Sequence, residues 1–403
     1  MKVLQINVTA NSGSHGRIAA GIGAQLISGG HQSYIAYGRT GNYCDSELIK
    51  IGGKTDVSLH LLKTRLLDRH GFGSLHSTTK FIKKLRKIDP DVIHLHNIHG
   101  YYISISVLFK YLKEAGKPVI WTFHDTWPIT GHCSFFEHVN CYKWKTECFA
   151  CPNIHGYPKS WFVDNSRRNY REKRALFSGL KNLVLVSPSE WLAGYLRHSF
   201  LSSCDIRIIN NGVDVLKFSP DFNGLVKQKY SLTKKYILGV ANIWDERKGL
   251  KDFIRLREIL DNSIDIVLVG LSVNQIKSLG DGIKGIRRTD SIEDLASLYA
   301  GAEVFVNPTY LDNFPLVNIE ALSCGTPVIT YRTGGSHESI DEGTGCIVEQ
   351  GDVRALHESI MDIVCSENSN ISGKCRERAV SKFSADARYK DYISLYQESL
   401  KII

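Results

Sequence analysis

The chain has 403 residues, 43% of them apolar and 23% charged, with 34 Gly, 10 Pro and 10 Cys. That length suits two domains of ordinary size, and the composition excludes disordered, collagen-like and fibrous classes. No apolar run approaches the ~20 residues of a membrane span, and the opening MKVLQINVT turns polar too soon for a secretory signal, so a cytoplasmic chain is expected.

The formal net charge of +9 is unevenly distributed. Residues 1–212 carry 27 Lys and Arg against 14 Asp and Glu, a balance of +13, whereas residues 213–403 carry 23 against 27, a balance of −4. A basic half can meet an anionic membrane surface from the cytoplasmic side, or simply be a solvated lysine-rich face. Nothing in it resembles a nucleic-acid-binding motif, so no nucleic-acid partner is expected. Ten cysteines in a large α/β chain without a signal point to reduced thiols or a metal site more than to disulfides.

In chain order, Lys2 to Val8 reads as a buried strand, followed by a glycine-bearing turn, Asn11 to Arg17, and a helix from Ile18 to Ser28. Gly13 and Gly16 let the backbone approach a ligand there, with a helix start behind them and His15 between them. His31 to Tyr37 is the second strand. Ser77 to Ile88 is a helix in which Lys80, Lys83, Lys84, Arg86 and Lys87 surround Phe81, Ile82, Leu85 and Ile88. Its apolar stripe packs on a sheet, or lies on a membrane surface. Asp91 to His96 and Lys117 to His124 are further strands with polar carboxyl ends, where open parallel sheets place ligands. The pair His124-Asp125 at such a rim is positioned to touch substrate.

Four cysteines then fall within nineteen positions, Cys133, Cys141, Cys148 and Cys151, spaced C-x7-C-x6-C-x2-C. The closing C-x2-C is a zinc-knuckle spacing, and four thiolates would close a tetrahedral structural site; four reduced thiols in an aromatic loop is the other reading. A basic helix (Ser166 to Ser178), a strand (Leu183 to Val186), a capped helix start (SPSEWLAGYL) and a strand (Ile206 to Ile209) lead to Asn210-Asn211-Gly212-Val213-Asp214.

A second strand-helix series opens with Lys235 to Val240. Asn242 follows it, and Arg247-Lys248-Gly249 stands just before a helix, where two cations could meet a diphosphate. Ile264 to Gly270 is a strand whose Gly270 allows close approach of a nucleotide. Ile292 to Leu298 and Ala302 to Val306 precede the stretch FVNPTYLDNFPLVNIEALSCGTPVITYRTGG. There a short strand breaks at Pro308 into a polar loop and resumes at Pro315 as a helix whose unpartnered first N–H groups and positive end suit a phosphate. Asp312 and Glu320 can face one cleft from the loop and the helix. From Asp386 to Leu400 the chain is helical and tyrosine-rich.

The acid, seven residues, second acid and A-x-x-x-G-x-P-V with a G-G pair resemble the donor signature of the retaining glycosyltransferases of family 4, here with Asp312 where the family usually has Glu and Asn242 where many relatives have Arg. NNGVD is similar to the family's interdomain linker. The W-P-x-T-G-x-C and C-x-x-W-K-T-x-C-x-x-C-P patterns resemble a subgroup that builds bacterial surface polysaccharides such as colanic acid and O-antigen.

The resemblance implies an α/β GT-B fold, two Rossmann-like doubly wound domains facing across a cleft: residues 1–213 for the acceptor, with helix 386–403 packing back on them, and 214–385 for the donor. It implies transfer of a sugar, with retention, from a nucleotide diphosphate sugar, GDP-linked slightly before UDP-linked, to a polyprenyl-diphosphate-linked oligosaccharide, with no cofactor needed for catalysis and the cysteine loop as the place for a structural zinc. Arg247, Lys248 and the N–H groups of Leu316 and Val317 would hold the diphosphate, with Gly13, Gly16, Asn242, Gly270, Phe314 and Pro315 around the donor. Glu320 would accept from ribose hydroxyls, and Asp312 and Asn313 from the donor sugar. His124 would face the transferred sugar, with Asp125 holding its ring or meeting the acceptor alongside His15. The alternatives are an epimerase or phosphorylase on the same fold, or a catalytically silent nucleotide-sugar-binding module.

Overall fold

Short strands with both faces apolar, alternating with helices, leave one arrangement: a parallel sheet covered on both sides. The computed structural model of the chain, described here for residues 1–221, 224–366 and 370–401, contains two such sheets, one in each of two compact units. The first unit comprises Met1–Asn210 and Tyr389–Ile403, the second Asn211–Arg388.

Among the described residues, the first sheet has seven strands: β1 (Lys2–Asn7), β2 (Gln32–Tyr37), β3 (Glu47–Lys50), β4 (Val92–Leu95), β5 (Val119–Thr122), β6 (Leu183–Ser187) and β7 (Asp205–Ile208). Their order is β3-β2-β1-β4-β5-β6-β7. The second sheet has six, β8 (Lys235–Val240), β9 (Ile264–Val269), β10 (Ile283–Ile286), β11 (Val304–Asn307), β12 (Val328–Tyr331) and β13 (Gly345–Val348), in the order β10-β9-β8-β11-β12-β13. Every pairing between these strands is parallel. In both sheets the order reverses beside the first strand, between β1 and β4 and between β8 and β11, the signature of a doubly wound fold. Strands β3, β10 and β13 were not expected from the sequence. Each is a four-residue edge strand, too short for a clear period of two.

The first helix, α1 (Gly13–Ser28), begins five residues earlier than its apolar period suggests. Asn11 takes a positive φ of 46°, which compresses the turn into Asn11–Gly13 and moves His15 and Gly16 into the helix. Helix α2 (Lys54–Leu67) was not anticipated, and α3 (Leu75–Ile88) is the basic helix of the sequence reading. Phe81, Ile82 and Leu85 of α3 are buried in the core while all five of its cations are exposed, so its apolar stripe packs inward rather than onto a membrane.

Strand β1 divides its side chains by the period of two. Leu4 and Ile6 join a large apolar core on one face, while Val3 joins a smaller one with Ile18, Ile22 and Leu26 of α1 and Tyr392, Leu395 and Tyr396 near the C-terminus. That second face carries a buried polar seam. His94 bonds Tyr396 Oη through Nδ1 (2.6 Å) and Thr122 Oγ1 through Nε2 (2.8 Å), and Thr122 in turn donates to Tyr392 Oη (3.2 Å). His96, on the same face, has its ring centred 3.9 Å from that of His94 and tilted by 34°. Gly21 makes room for Tyr389 of this segment, since a Cβ there would stand 2.3 Å from the ring.

Two outcomes follow from the seam. Tyr396→Phe leaves His94 Nδ1 buried without its donor and should cost about 1–3 kcal/mol in urea unfolding, with no change in the fold. Burial, followed by the neighbouring imidazoles, holds His94 and His96 well below the usual histidine value of 6.5. The unfolded chain therefore binds protons below pH 6.5 that the folded chain refuses. Stability is full above that pH and should fall as the pH drops below it, a slope that unfolding curves at pH 7 and pH 5 would show.

Candidate functional site

In each unit the loops at the carboxyl ends of the strands beside the reversal bring together the polar residues of the sequence reading. In the first unit these are the loop after β1 with the start of α1, the loop after β4, and His124-Asp125 after β5. Gly13 (φ +67°) has nothing within 4 Å of where a Cβ would stand, so open space lies above it. Gly16 differs: a Cβ there would meet Thr9 Oγ1 at 2.6 Å, so this glycine serves helix packing.

The imidazoles at this rim have fixed protons. Gln5 Nε2 donates to the Ala19 carbonyl (2.8 Å), which leaves its Oε1 to accept from His96 Nε2 (2.9 Å). His96 is neutral, so its Nδ1 accepts, and the proton in the 3.2 Å contact with His124 Nε2 belongs to His124. His124 Nδ1 therefore carries a lone pair. Asn7 Nδ2 donates to the Thr9 carbonyl (2.8 Å) and lies 3.2 Å from His15 Nδ1, which puts the His15 proton on Nε2. The His15 and His124 rings are 5.5 Å apart. Burial first, and then the nearby His99, lowers His15 to about 4; burial and then His15 hold His124 well below 6.5.

Asp125 does not hold the His124 ring by a hydrogen bond. Its Oδ2 accepts from His99 Nε2 (2.8 Å) and its Oδ1 from the Trp127 backbone N–H (3.0 Å). Burial pushes this carboxyl up, but His99 and the Trp127 N–H outweigh it and leave it below the usual aspartate value. The other side of His99 faces Tyr157 Oη at 3.3 Å. Sequence reasoning missed Gln5, His96, His99 and Tyr157. The H-L-H-N-I-H run after β4 was the available signal for two of them, whereas Gln5 and Tyr157 carry none.

The four cysteines lie in the long segment between β5 and β6 and all line one small cavity with Phe136, Trp144 and Phe149. Cys148 Sγ accepts from the Gly131 N–H (3.2 Å), and the neighbouring Cys151, followed by burial, pushes the Cys133 thiol well up. Among the described residues no group of three Cys, His, Asp or Glu side chains is arranged to hold a metal ion.

In the second unit the loops after β8 and β11 are tied together. Lys248 Nζ donates to Asp312 Oδ2 at 2.5 Å, and the Arg247 carbonyl accepts from Tyr310 N (2.7 Å) and Thr309 Oγ1 (3.2 Å). Gly249 (φ +74°) permits this, because a Cβ would stand 2.2 Å from the Pro308 carbonyl. Arg247 pairs with Asp245 (2.7 Å), and Asn242 is exposed at the end of β8. Asp312 also accepts from the Asn313 N–H (2.9 Å), and its carbonyl from the Gly335 N–H (3.1 Å). The glycine pair is thereby explained: a Cβ on Gly334 would lie 1.9 Å from the Asp312 carbonyl.

Pro315 precedes the helix Leu316–Ser323, and no side chain caps its first N–H groups. Leu316 and Val317 present those groups while their side chains lean on the core. Glu320, on the same helix, is buried and accepts from Tyr299 Oη (3.1 Å). Phe314 and Gly270 have partners within the fold. The Phe314 ring is 3% exposed and packs on Phe383 at 5.6 Å, and Gly270 (φ +99°) serves the Ala241 carbonyl, 1.6 Å from where its Cβ would be.

Comparison with known proteins bears on this arrangement. Residues 16–216 match the family model described as Glycosyltransferase Family 4, and residues 234–366 the model described as Glycosyl transferases group 1. The chain is 25% identical over 98% of its length, and 100% of the relative's, to a putative colanic acid biosynthesis glycosyl transferase, WcaC, of Escherichia coli K12. It is 24% identical, over 73% of its length and 78% of the relative's, to the Escherichia coli UDP-Gal:alpha-D-GlcNAc-diphosphoundecaprenol alpha-1,3-galactosyltransferase. Among solved structures, the sucrose-phosphate synthase of Thermosynechococcus elongatus superposes over 100% of this chain and 99% of its own, with a TM-score of 0.73 at 20% identity. The chain thus belongs to glycosyltransferase family 4, has the GT-B fold, and is a hexosyltransferase-type enzyme.

Proposed function

We propose that this enzyme moves a hexosyl unit, with retention of anomeric configuration, from a nucleoside diphosphate sugar to a polyprenyl-diphosphate-linked oligosaccharide in the assembly of a bacterial surface polysaccharide. The observation that carries the donor half is the Lys248–Asp312 link, which sets a cation, a carboxylate and an uncapped helix start at the strand-order reversal of the second sheet. The acceptor half draws on the relative whose name specifies a diphosphoundecaprenol-linked substrate.

In this reading the diphosphate takes Lys248 from Asp312 and draws on Arg247 and the N–H groups of Leu316 and Val317. Asp312, relieved of its cation, then accepts from the hydroxyls of the donor sugar with Asn313, and Glu320 from the ribose. As the bond from the anomeric carbon to the diphosphate oxygen breaks, the acceptor oxygen bonds to that carbon on the same face. The acceptor proton passes to the departing diphosphate. Charge on the leaving group is met by the two cations and the helix end, so no further cofactor is assigned to this step. His124, held in one tautomer, is assigned to the transferred sugar, and His15 and Asp125 to the acceptor. An epimerase would convert the donor with no acceptor present, and a silent binding module would take up donor without turnover.

Thermal-shift screening with UDP, GDP, ADP, dTDP and CMP should give one selective rise in Tm, with GDP the first expectation and UDP, the base in that relative's name, the second. Lys248→Ala should abolish that rise and lower kcat/KM by ~10²–10³-fold; Glu320→Ala should weaken donor binding, and unchanged affinity and turnover would remove the ribose assignment. Gln5→Leu frees the His96 proton, and with it the His124 tautomer. Turnover should fall by ~10-fold while the donor-induced shift in Tm is kept.

A further inference from the structure

Helix α2 is packed inside out. A surface helix ordinarily turns its apolar stripe to the core and its polar residues to water. In α2 the buried residues are His60 and Thr64, whereas Leu59 is 68% exposed, Leu62 47%, Leu66 40% and Leu67 48%. Leu59, Leu62 and Leu66 recur at helical spacing and form a single outward stripe. The polar inner face is held firmly: His60 Nε2 accepts from the Gly71 and Gly73 N–H groups (3.1 and 3.2 Å), its Nδ1 bonds Ser74 Oγ (2.9 Å), and Thr64 Oγ1 donates to the His60 carbonyl. Rolling the helix over to bury the leucines would expose none of these bonds to an equivalent partner.

Beside the C-terminal end of α2 runs a second exposed apolar element. Trp161 N donates to the Arg65 carbonyl (2.8 Å), and Arg65 donates to the Lys159 carbonyl (2.7 Å). This places Trp161, 46% exposed, and Phe162, 82% exposed, next to the leucine stripe. Cations accompany the patch: helix α2 itself carries Lys54, Lys63 and Arg65 against one acid, Asp56.

We propose that this face, the leucines of α2 with Trp161 and Phe162, inserts into the interfacial layer of an anionic phospholipid bilayer. An apolar stripe with an aromatic pair at its edge and an excess of cations on the same helix matches the headgroup boundary of such a bilayer, and no helix among the described residues is long and apolar enough to cross one. The face also leads to the candidate acceptor residues. Tyr157, four residues before Trp161, is itself 47% exposed and reaches His99 with its hydroxyl, so the Asp125–His99 pair lies one side chain from the docking segment. A lipid-linked acceptor would then present its diphosphate and first sugars from the bilayer boundary. The docking surface deepens the proposed function, and rests on it for the acceptor alone.

The test is cosedimentation of the full chain with phosphatidylcholine vesicles, with and without phosphatidylglycerol. The chain should bind the phosphatidylglycerol vesicles preferentially and lose part of that binding in high salt. A triple variant, Leu62→Ser, Leu66→Ser and Phe162→Ser, should bind ~10-fold less with an unchanged Tm, while Leu216→Ser, an exposed leucine of the second unit, should bind as the parent does. Turnover of the triple variant should be unchanged on a short-chain soluble acceptor and reduced on an acceptor embedded in vesicles. Three results would each overturn the inference: no binding of the parent chain to anionic vesicles, equal binding by the triple variant, or light scattering showing a parent dimer that the triple variant converts to monomer. Absence of transfer to either acceptor would defeat the proposed function instead, and leave the vesicle result to stand by itself.

Discussion

The constraint on which the rest depends is the handedness of the crossover between parallel strands. A right-handed connection packs its helix on one face, so a sheet covered on both faces has to reverse its strand order once, and the loops on either side of that reversal diverge. Both sheets here reverse beside their first strand. That reversal is where backbone N–H groups, glycine turns and strand-end side chains meet in each sheet.

The two units use the opening differently. The second fills it with charge: a lysine from one loop is bonded to an aspartate from the other, beside an uncapped helix start. Such a pair holds the two loops together, and neither partner is a fully buried charge, since both side chains are about one quarter exposed. The first unit fills its opening with neutral imidazoles. Burial removes their charge, and a chain of hydrogen bonds that ends on the Ala19 carbonyl fixes their protons. A neutral wall of defined tautomers suits sugar hydroxyls, which need both donors and acceptors at set positions.

The polar seam under the C-terminal tyrosines links this wall to the fold. His94 and His96 belong to β4 and its end, yet they lie against Tyr392, Tyr396 and Gln5 rather than in the apolar core. The bonds of His94 to Tyr396 and Thr122 and of His96 to Gln5 are all buried, so losing a partner there leaves a polar atom without water to replace it. Helix α2 shows the same preference in reverse, placing its satisfied histidine inward and its leucines out.

What the sequence determined by itself was whatever is local. Runs of apolar residues at strand length, separated by helical periods, specified the doubly wound class, and the A-x-x-x-G-x-P-V stretch with its two acids specified the family. The glycine pair, the cations before the helix and Pro315 were all legible because backbone requirements are written in single residues. What only the tertiary structure decided depends on partners far apart in sequence. That Asp125 holds His99 and not its neighbour His124, that Gln5 sets the proton of His96 from 91 residues away, and that Phe314 is core all follow from which side chains the sheet registers bring together. The edge strands and α2 were hidden for a related reason: a period reports burial only when the buried face is apolar, and α2 buries a histidine and a threonine.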